Sequence, residues 1–514
     1  MSGPATPPSA DERAGAEFAA VLAERLGSYG PRPFVEFERQ WYSGDEVTAV
    51  HRAVEAALAA AGVGMAEPLG VIVRNRVPHA AVVLGAVAGR RPLVMINSYR
   101  SASAIAREVA ELGLAAIVAD EQDWTTELTA ACAAAGSVGV RAAIRAAEVG
   151  VVVPRGGSAD VGVVVPRGGA PATGAAAAGL HILTSGTTGP PKRVAIGTAA
   201  LAHTVRTMTG GRTAAPDDPP ELVYWPFGSI GICQLLAVPF LGTRMVLMER
   251  FTVAEWVRAV RAYRVRRAGV QPTILRMLLD ADVPPEELAS LEYLPGGSGP
   301  LEPGLRAEFE ERYGIPLLWA YGATEFAGSV CAWTPELHER YGAAKRGSVG
   351  RPLPGVSVRV VDPATGAEVT AGARGLLEAR VAALGPEWIR TTDLASRDAD
   401  DFVTIHGRAD GAINRGGFKI LPESVRAVLI RHPAVRDACV VGVPDRRLGQ
   451  VPFAAVEVRR GSPAPTPDEL RALVRAELPS HHVPVAVAVL AELPRNAAMK
   501  VRVDAVAALH GDRG

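Results

Sequence analysis

The sequence predicts a chain of α/β and α+β character with more than one domain, and three observations carry that prediction. Short apolar runs alternate with longer amphipathic ones over much of the first 320 residues, the pattern of a parallel sheet joined by crossover helices. Between Gly347 and His406, clustered prolines, glycines and valines signal short hairpins instead. Beyond His406, helix and strand patterns resume over about a hundred residues, a normal size for a separate unit.

Taken in order, Asp11 to Leu26 is alanine-rich with helical spacing. Asp45 to Ala61 places Val47, Val50, Val54 and Leu58 on one helical face, and Ser43-Gly44-Asp45-Glu46 supplies its cap. Leu69 to Val73 is a strand, Asn75 a turn, Ala80 to Ala88 a helix, Leu93 to Ile96 a strand, Ser103 to Leu112 a helix and Ala115 to Ala119 a strand. The segment Val149 to Gly157 recurs letter for letter as Val161 to Gly169. Two copies of so short a period build no solenoid, and the pair reads as a duplication in a linker that runs on through Pro171 to Gly179. Next come helix Ile232 to Phe240, strand Thr243 to Met248, helix Val253 to Tyr263 and helix Ile274 to Leu279. A strand and glycine turn follow over Tyr293 to Leu301, then helix Leu301 to Tyr313 and strand Pro316 to Trp319. After the hairpins come helix Glu423 to Arg431, strands Ala438 to Val443 and Phe453 to Val458, helix Asp468 to Leu478 and strand Val483 to Leu490.

Composition excludes several partners. Lysine plus arginine and aspartate plus glutamate both number 54, so no basic face for nucleic acid is implied. Met1 to Ala10 lacks the apolar core of a signal peptide. Ala80 to Ile96 is interrupted by Arg90 and Arg91 and falls short of the ~20 residues of a membrane span. Cys132, Cys233, Cys331 and Cys439 have neither metal nor redox spacing, which predicts reduced, mostly buried thiols in a cytoplasmic protein. The histidines form no zinc-ligating spacing.

One stretch organises the rest. The apolar run Leu180 to Leu183 leads into Thr184-Ser185-Gly186-Thr187-Thr188-Gly189-Pro190-Pro191-Lys192. Glycines let a backbone turn its N–H groups inward, such concavities bind anions, and the hydroxyls and lysine add donors. It is not the nucleoside-triphosphatase P-loop, which needs Gly-Lys followed by Ser or Thr. The plain alternative is a Ser/Thr/Gly surface loop. The stretch resembles the phosphate loop of the adenylate-forming (AMP-binding) superfamily, of the acyl-CoA synthetase or CoA ligase type.

The resemblance covers about residues 45 to 510, and the early strand–helix order is similar to the family's first subdomain. It implies a large domain over 1–409, with two parallel α/β subdomains and a β-rich subdomain. A small mobile α+β domain over 411–514 follows, with the hinge at Asp410. Tyr321-Gly322-Ala323-Thr324-Glu325 resembles the second nucleotide motif. There Tyr321 stacks on adenine, Thr324 bonds the α-phosphate and Glu325 holds Mg²⁺, which takes oxygen ligands; a helix-capping turn is the alternative. Gly297 and Ser298 belong to the same nucleotide site. Thr391-Thr392-Asp393 stands where the family has Thr-Gly-Asp, with Asp393 on the ribose; the lost glycine narrows the backbone at Thr392. Gly407-Arg408-Ala409-Asp410 matches the hinge signature, with Arg408 on ribose or phosphate. Gly416-Gly417 resembles the loop beside the pantetheine arm of coenzyme A. Pro422-Glu423-Ser424-Val425-Arg426 lacks both glutamates usual in the following motif. Leu493 to Lys500 is similar to Pro-Arg-Asn-x-x-Gly-Lys, making Lys500 the catalytic cation, with Met499 in place of glycine. Thr184 and Glu325 complete the catalytic set.

For the acid, Gly228 follows Phe227 where amino-acid-activating relatives have aspartate, so no partner for an α-ammonium is offered. Trp225, Phe227, Gly228, Gly296 and Trp319 are then expected to line a pocket for a fatty, branched or aromatic acid. The expected reaction uses ATP, Mg²⁺ and coenzyme A to make an acyl-adenylate and then a thioester, in a monomer or homodimer. Two alternatives stay open: an adenylating enzyme with a carrier-protein or amine acceptor or an unusual oxyanion, and a non-catalytic nucleotide-binding relative. Retention of Lys192, Glu325, Asp393 and Lys500 speaks against the second.

Overall fold

A computed structural model describes residues 10–98, 100–142, 150–152, 179–184, 192–215, 217–227, 231–297, 299–323, 326, 328–409, 411–415, 418–445, 447–496 and 499–511. The chain forms two compact units. One comprises Met1–Ala268 with Glu287–Leu291, the other Gly269–Glu286 with Glu292–Gly514.

The first unit holds a seven-stranded sheet in the order Gly150–Val152, Val138–Arg141, Ala116–Ala119, Leu69–Val73, Leu93–Asn97, Gly179–Thr184, Lys192–Gly197. The five inner strands pair in parallel and both edge pairings are antiparallel. The central strands are buried throughout, as their unbroken apolar runs require. Helix Gly44–Ala60 buries Val47, Val50, Val54 and Leu58, and Ser43 and Glu46 cap it reciprocally. The duplicated segment corrects the linker reading in its first copy, whose Gly150–Val152 forms the edge strand. The second copy lies outside the described residues.

A second sheet in this unit runs Glu221–Val223, Met245–Leu247, Pro33–Phe37, Gln40–Ser43. Its hairpin Pro33–Ser43 is absent from the sequence reading. Val35 to Phe37 pairs in parallel with Met245 to Leu247, and the Tyr29 hydroxyl donates to the Thr243 carbonyl at 2.5 Å.

Among the described residues the second unit carries two four-stranded sheets and one of five strands. Leu294–Gly296 pairs in parallel with Leu317–Ala323, which pairs with Gly328–Ala332 and then Arg351–Pro352. Val356–Val361, Arg374–Val381, Ile389–Arg397 and Val403–Arg408 form an antiparallel meander, as the hairpin signals predict. Phe418–Ile420, Ile413–Arg415, Gly449–Val458 and Val435–Asp445 form the last sheet, with Val487–Leu490 added in parallel to Gly449–Val458. Pro422–Leu429 and Pro467–Glu477 bury Val425, Val428, Leu470 and Val474 in its core.

Candidate functional site

Tyr321 lies on Leu317–Ala323 and packs against the core of the meander. Its O–H donates to Asp393 Oδ2, joining two motifs 72 residues apart. Burial, and then the neighbouring Asp393 carboxylate, push the phenol well above its ordinary pKa, so the proton stays on Tyr321. The Asp393 backbone is held by its N–H, which donates to Thr391 Oγ1 at 3.0 Å, while Thr391 donates to the Leu377 carbonyl at 2.8 Å. Asp393 pairs with Arg408 across adjacent strands. An ionised carboxylate has about four acceptor positions. Among the described residues Tyr321 is the side-chain donor to Asp393, so acceptor capacity remains.

Thr392 lies in the strand Ile389–Arg397, where an extended backbone suits it. Its hydroxyl accepts from Arg408 Nη2 at 2.8 Å and its carbonyl accepts from the Ala409 N–H at 2.7 Å. The threonine therefore gives Arg408 a partner that glycine could not. The next residue back, Gly407, has φ +132°, and a Cβ there would lie 2.6 Å from Glu423 Oε2. That oxygen is buried without a hydrogen-bond partner, and burial raises the Glu423 pKa. Glu423 received no role from the sequence; a carboxylate directly after Pro422 resembles an ordinary helix-start residue.

Lys500 closes a turn. The Asn496 N–H donates to the Lys500 carbonyl at 2.8 Å and the Lys500 N–H donates to Asn496 Oδ1 at 3.0 Å. Arg495 and Val501 bridge in antiparallel register at its neck. Met499 has φ +61°, the left-handed conformation that glycine adopts freely and other residues adopt at a cost. The family glycine at this position thus has a conformational reason, and methionine stands here under strain. Desolvation lowers the Lys500 pKa, while its side chain retains an exposed face.

The residues expected at the acid pocket are mostly packed. A Cβ on Gly296 would lie 2.1 Å from the Trp319 ring, so the glycine exists to admit that ring. Trp319 is buried, and its indole N–H donates to the Gly299 carbonyl at 2.9 Å. Gly297 has the Ala320 carbonyl 3.1 Å from where a Cβ would stand, and Gly322 has the Gly328 carbonyl at 2.1 Å. In the first unit, Phe227 is a core residue and Trp225 is half-buried. Asn75 holds this turn from both sides. Its Nδ2 donates to the Trp225 carbonyl at 2.9 Å and its Oδ1 accepts from the Phe227 N–H at 3.1 Å. The sequence marked Asn75 only as a turn; its partners, about 150 residues away, carry no local signal.

Thr184 and Lys192, which flank the expected phosphate loop, are register partners in antiparallel strands at the carboxyl end of Gly179–Thr184. That is the end of a parallel strand where α/β sheets bind ligands. Ser185, Gly186, Thr187, Thr188, Gly189, Gly228, Ser298, Thr324, Glu325, Asp410, Gly416 and Gly417 lie outside the described residues. Among the described residues, no group of three His, Cys, Asp or Glu could hold a metal ion. No described helix is long and apolar enough to cross a membrane. All four cysteines are buried and unpaired.

Comparison with known proteins gives the following. The model of the family described as AMP-binding enzyme matches residues 22–385, and that of the AMP-binding enzyme C-terminal domain matches 424–500. A 2-succinylbenzoate–CoA ligase of Bacillus pumilus is 30% identical over 334 residues, 62% of this chain and 66% of the relative. The match therefore spans just under two thirds of that relative's own length. ATP-bound MatB from Rhodopseudomonas palustris superposes with a TM-score of 0.78 at 21% identity, over 96% of this chain and 99% of that one. The amide bond synthetase McbA from Marinactinospora thermotolerans superposes with a TM-score of 0.74 at 25% identity, with the same coverage.

Proposed function

Because the chain belongs to the AMP-binding enzyme family, we propose that it is an ATP-dependent ligase joining a carboxylic acid to the thiol of coenzyme A. In the first step a carboxylate oxygen attacks the α-phosphorus of Mg·ATP and the bond to pyrophosphate breaks. In the second the thiol sulfur attacks the acyl carbon, AMP leaves with the bonding electrons and the thiol proton passes to water.

The observation that carries this reading is the Tyr321–Asp393 hydrogen bond, with Arg408 on the adjoining strand. Two motifs far apart in the sequence present a carboxylate with spare acceptor capacity beside an aromatic ring, a pair suited to ribose hydroxyls and a base. Lys500 supplies the cation for charge developing on the acyl and phosphoryl oxygens; such a group is typically worth about 10²–10³ in rate. The main-chain N–H groups of 184–192 bind phosphate, and Glu325 is the proposed ligand of the ion that ATP brings. The segment 411–514 moves as a small domain about Asp410, bringing Gly416 and Gly417 to the thiol in the second step. The acid is a non-amino acid, since Gly228 offers no partner for an ammonium. Four unpaired buried thiols fit a reducing, cytoplasmic setting.

One measurement tests this: pyrophosphate release with aryl, branched, dicarboxylic and medium-chain acids, with and without coenzyme A. The expected result is acid-dependent release that coenzyme A accelerates. Release indifferent to coenzyme A would move the acceptor to a carrier protein or an amine, the latter as McbA's description implies for that protein. No release with any acid would leave a nucleotide binder. Lys500→Ala should lower adenylate formation about 10²–10³-fold while ATP binding persists.

A further inference from the structure

The Lys500 turn is internally closed, but closure alone does not say where it sits. Arg495 does. Its Nη1 donates to the Met499 carbonyl at 3.2 Å, one residue before Lys500. Its Nη2 donates to Asp437 Oδ2 at 2.7 Å and to Glu457 Oε2 at 3.1 Å. Both carboxylates are removed from solvent, at 3% and 0% exposure. A planar guanidinium that forks between a turn and two buried anions fixes orientation as well as distance.

Asp437 is shared with two other elements. Arg426, on helix Pro422–Leu429, donates to Asp437 Oδ1 at 2.6 Å. Arg276, on helix Pro272–Asp280, lies 3.2 Å from Asp437 Oδ2. Arg276 and Arg426 both also pair with Glu302. From the same helix as Arg276, Thr273 Oγ1 donates to the Met499 carbonyl at 3.4 Å. The turn is thereby tied through Asp437 and Met499 to two helices.

Arg426 occupies a position where the family pattern has glutamate. A glutamate there would set another negative charge against Asp437 and Glu302. The departure that weakened the sequence resemblance is thus answered in space by two carboxylates. Buried ion pairs are poor evidence for stability, and their best-attested use is to specify one arrangement over others.

We propose that Asp437 and Arg426 are positioning residues that set the Lys500 ammonium for adenylate formation; this rests on the role of Lys500 proposed above. The test uses the full-length protein carrying Asp437→Asn, Arg426→Gln or Glu302→Gln. Glu302 keeps 16% of its side chain exposed and touches only the far side of the network, so its variant is the one best placed to fold. Two half-reactions are followed with the acid that performs best in the panel: acid-dependent ATP–pyrophosphate exchange, and transfer to coenzyme A from its synthetic acyl-adenylate. Exchange should fall about 10- to 100-fold, the scale of a small misplacement of a catalytic group, while transfer stays within about threefold. In a Lys500→Ala background the same substitutions should cause no further loss of exchange, because residues acting through one group are not additive. A merely structural role would lower both half-reactions together or add to the Lys500→Ala loss, and either result, or unchanged exchange, would overturn the proposal. If the unsubstituted protein shows no exchange with any acid, the functional reading fails and takes this one with it. A sound exchange reaction with uniform losses in the variants defeats the positioning role alone.

Discussion

Two charged clusters in the second unit are made from the same side-chain types and are satisfied to different degrees. Around Asp437 and Glu457 the carboxylate oxygens are met by four arginines, Arg276, Arg426, Arg436 and Arg495, from two helices, a strand and the Lys500 turn, and by the N–H groups of Ala438 and Leu493. Among the described residues, the Asp393 carboxylate has the Tyr321 hydroxyl, the exposed Arg408 donates to Thr392, and Glu423 Oε2 is buried with no hydrogen-bond partner. A filled network costs much to open and is suited to holding one geometry. An incompletely filled one keeps acceptor capacity that a ligand can meet. The contrast separates the part of this unit that sets position from the part proposed to bind.

The largest effect should come from the filled cluster. Asp437→Asn takes one of two carboxylate partners from each of Arg276, Arg426 and Arg495 and should cost about 3–5 kcal/mol in chemical denaturation. The Asp437 pKa is held well below the carboxylate range: burial would raise it, but its arginines outweigh that. Its contribution is therefore present above the unfolded value, about 3.9, and is lost as pH falls through the folded value. The stability gap between the two proteins should narrow steadily as pH falls from about 4 toward 2, and a gap of constant size across that range would blur the contrast.

In the open cluster, Asp393→Asn should spare stability and raise KM for ATP by about 10- to 100-fold, the range of a hydrogen bond to a charged group. Tyr321→Phe should act in the same direction by less. A large stability loss with unchanged KM would make this cluster structural like the other.

Glu423 should respond with the opposite sign to Asp437. Its folded pKa is raised, so the wild-type protein is favoured below the unfolded value and loses stability as pH rises through the folded one. Glu423→Gln should then gain about 1 kcal/mol at neutral pH, a gain that vanishes near pH 4. Smallest is Met499→Gly. Relief of the left-handed backbone is partly offset by glycine's greater unfolded entropy, leaving a net gain of about 1 kcal/mol or less. Thermal melts of these two variants across pH check both.

What the residues declare locally was legible in the chain. Helix Gly44–Ala60 follows from apolar spacing and a reciprocal cap, both within a few positions of each other. The meander between Val356 and Arg408 follows from turn residues and β-branched runs. Tyr321, Asp393, Arg408 and Lys500 stood out because their neighbours form recognisable motifs. The hairpin Pro33–Ser43 did not stand out, because it pairs with Met245–Leu247 more than two hundred positions away. Nothing in either segment announces the other.

The sequence by itself determined the inner strands and helices around Leu69–Val73, the meander, the family and the identity of the titratable side chains, since those rest on short-range pattern and composition. Only the tertiary structure decided that Tyr321 donates to Asp393, that Arg426 answers its lost glutamate through Asp437 and Glu302, and that Met499 sits in a left-handed turn. Partnership across long separations is set by packing and burial together, and a linear pattern records neither.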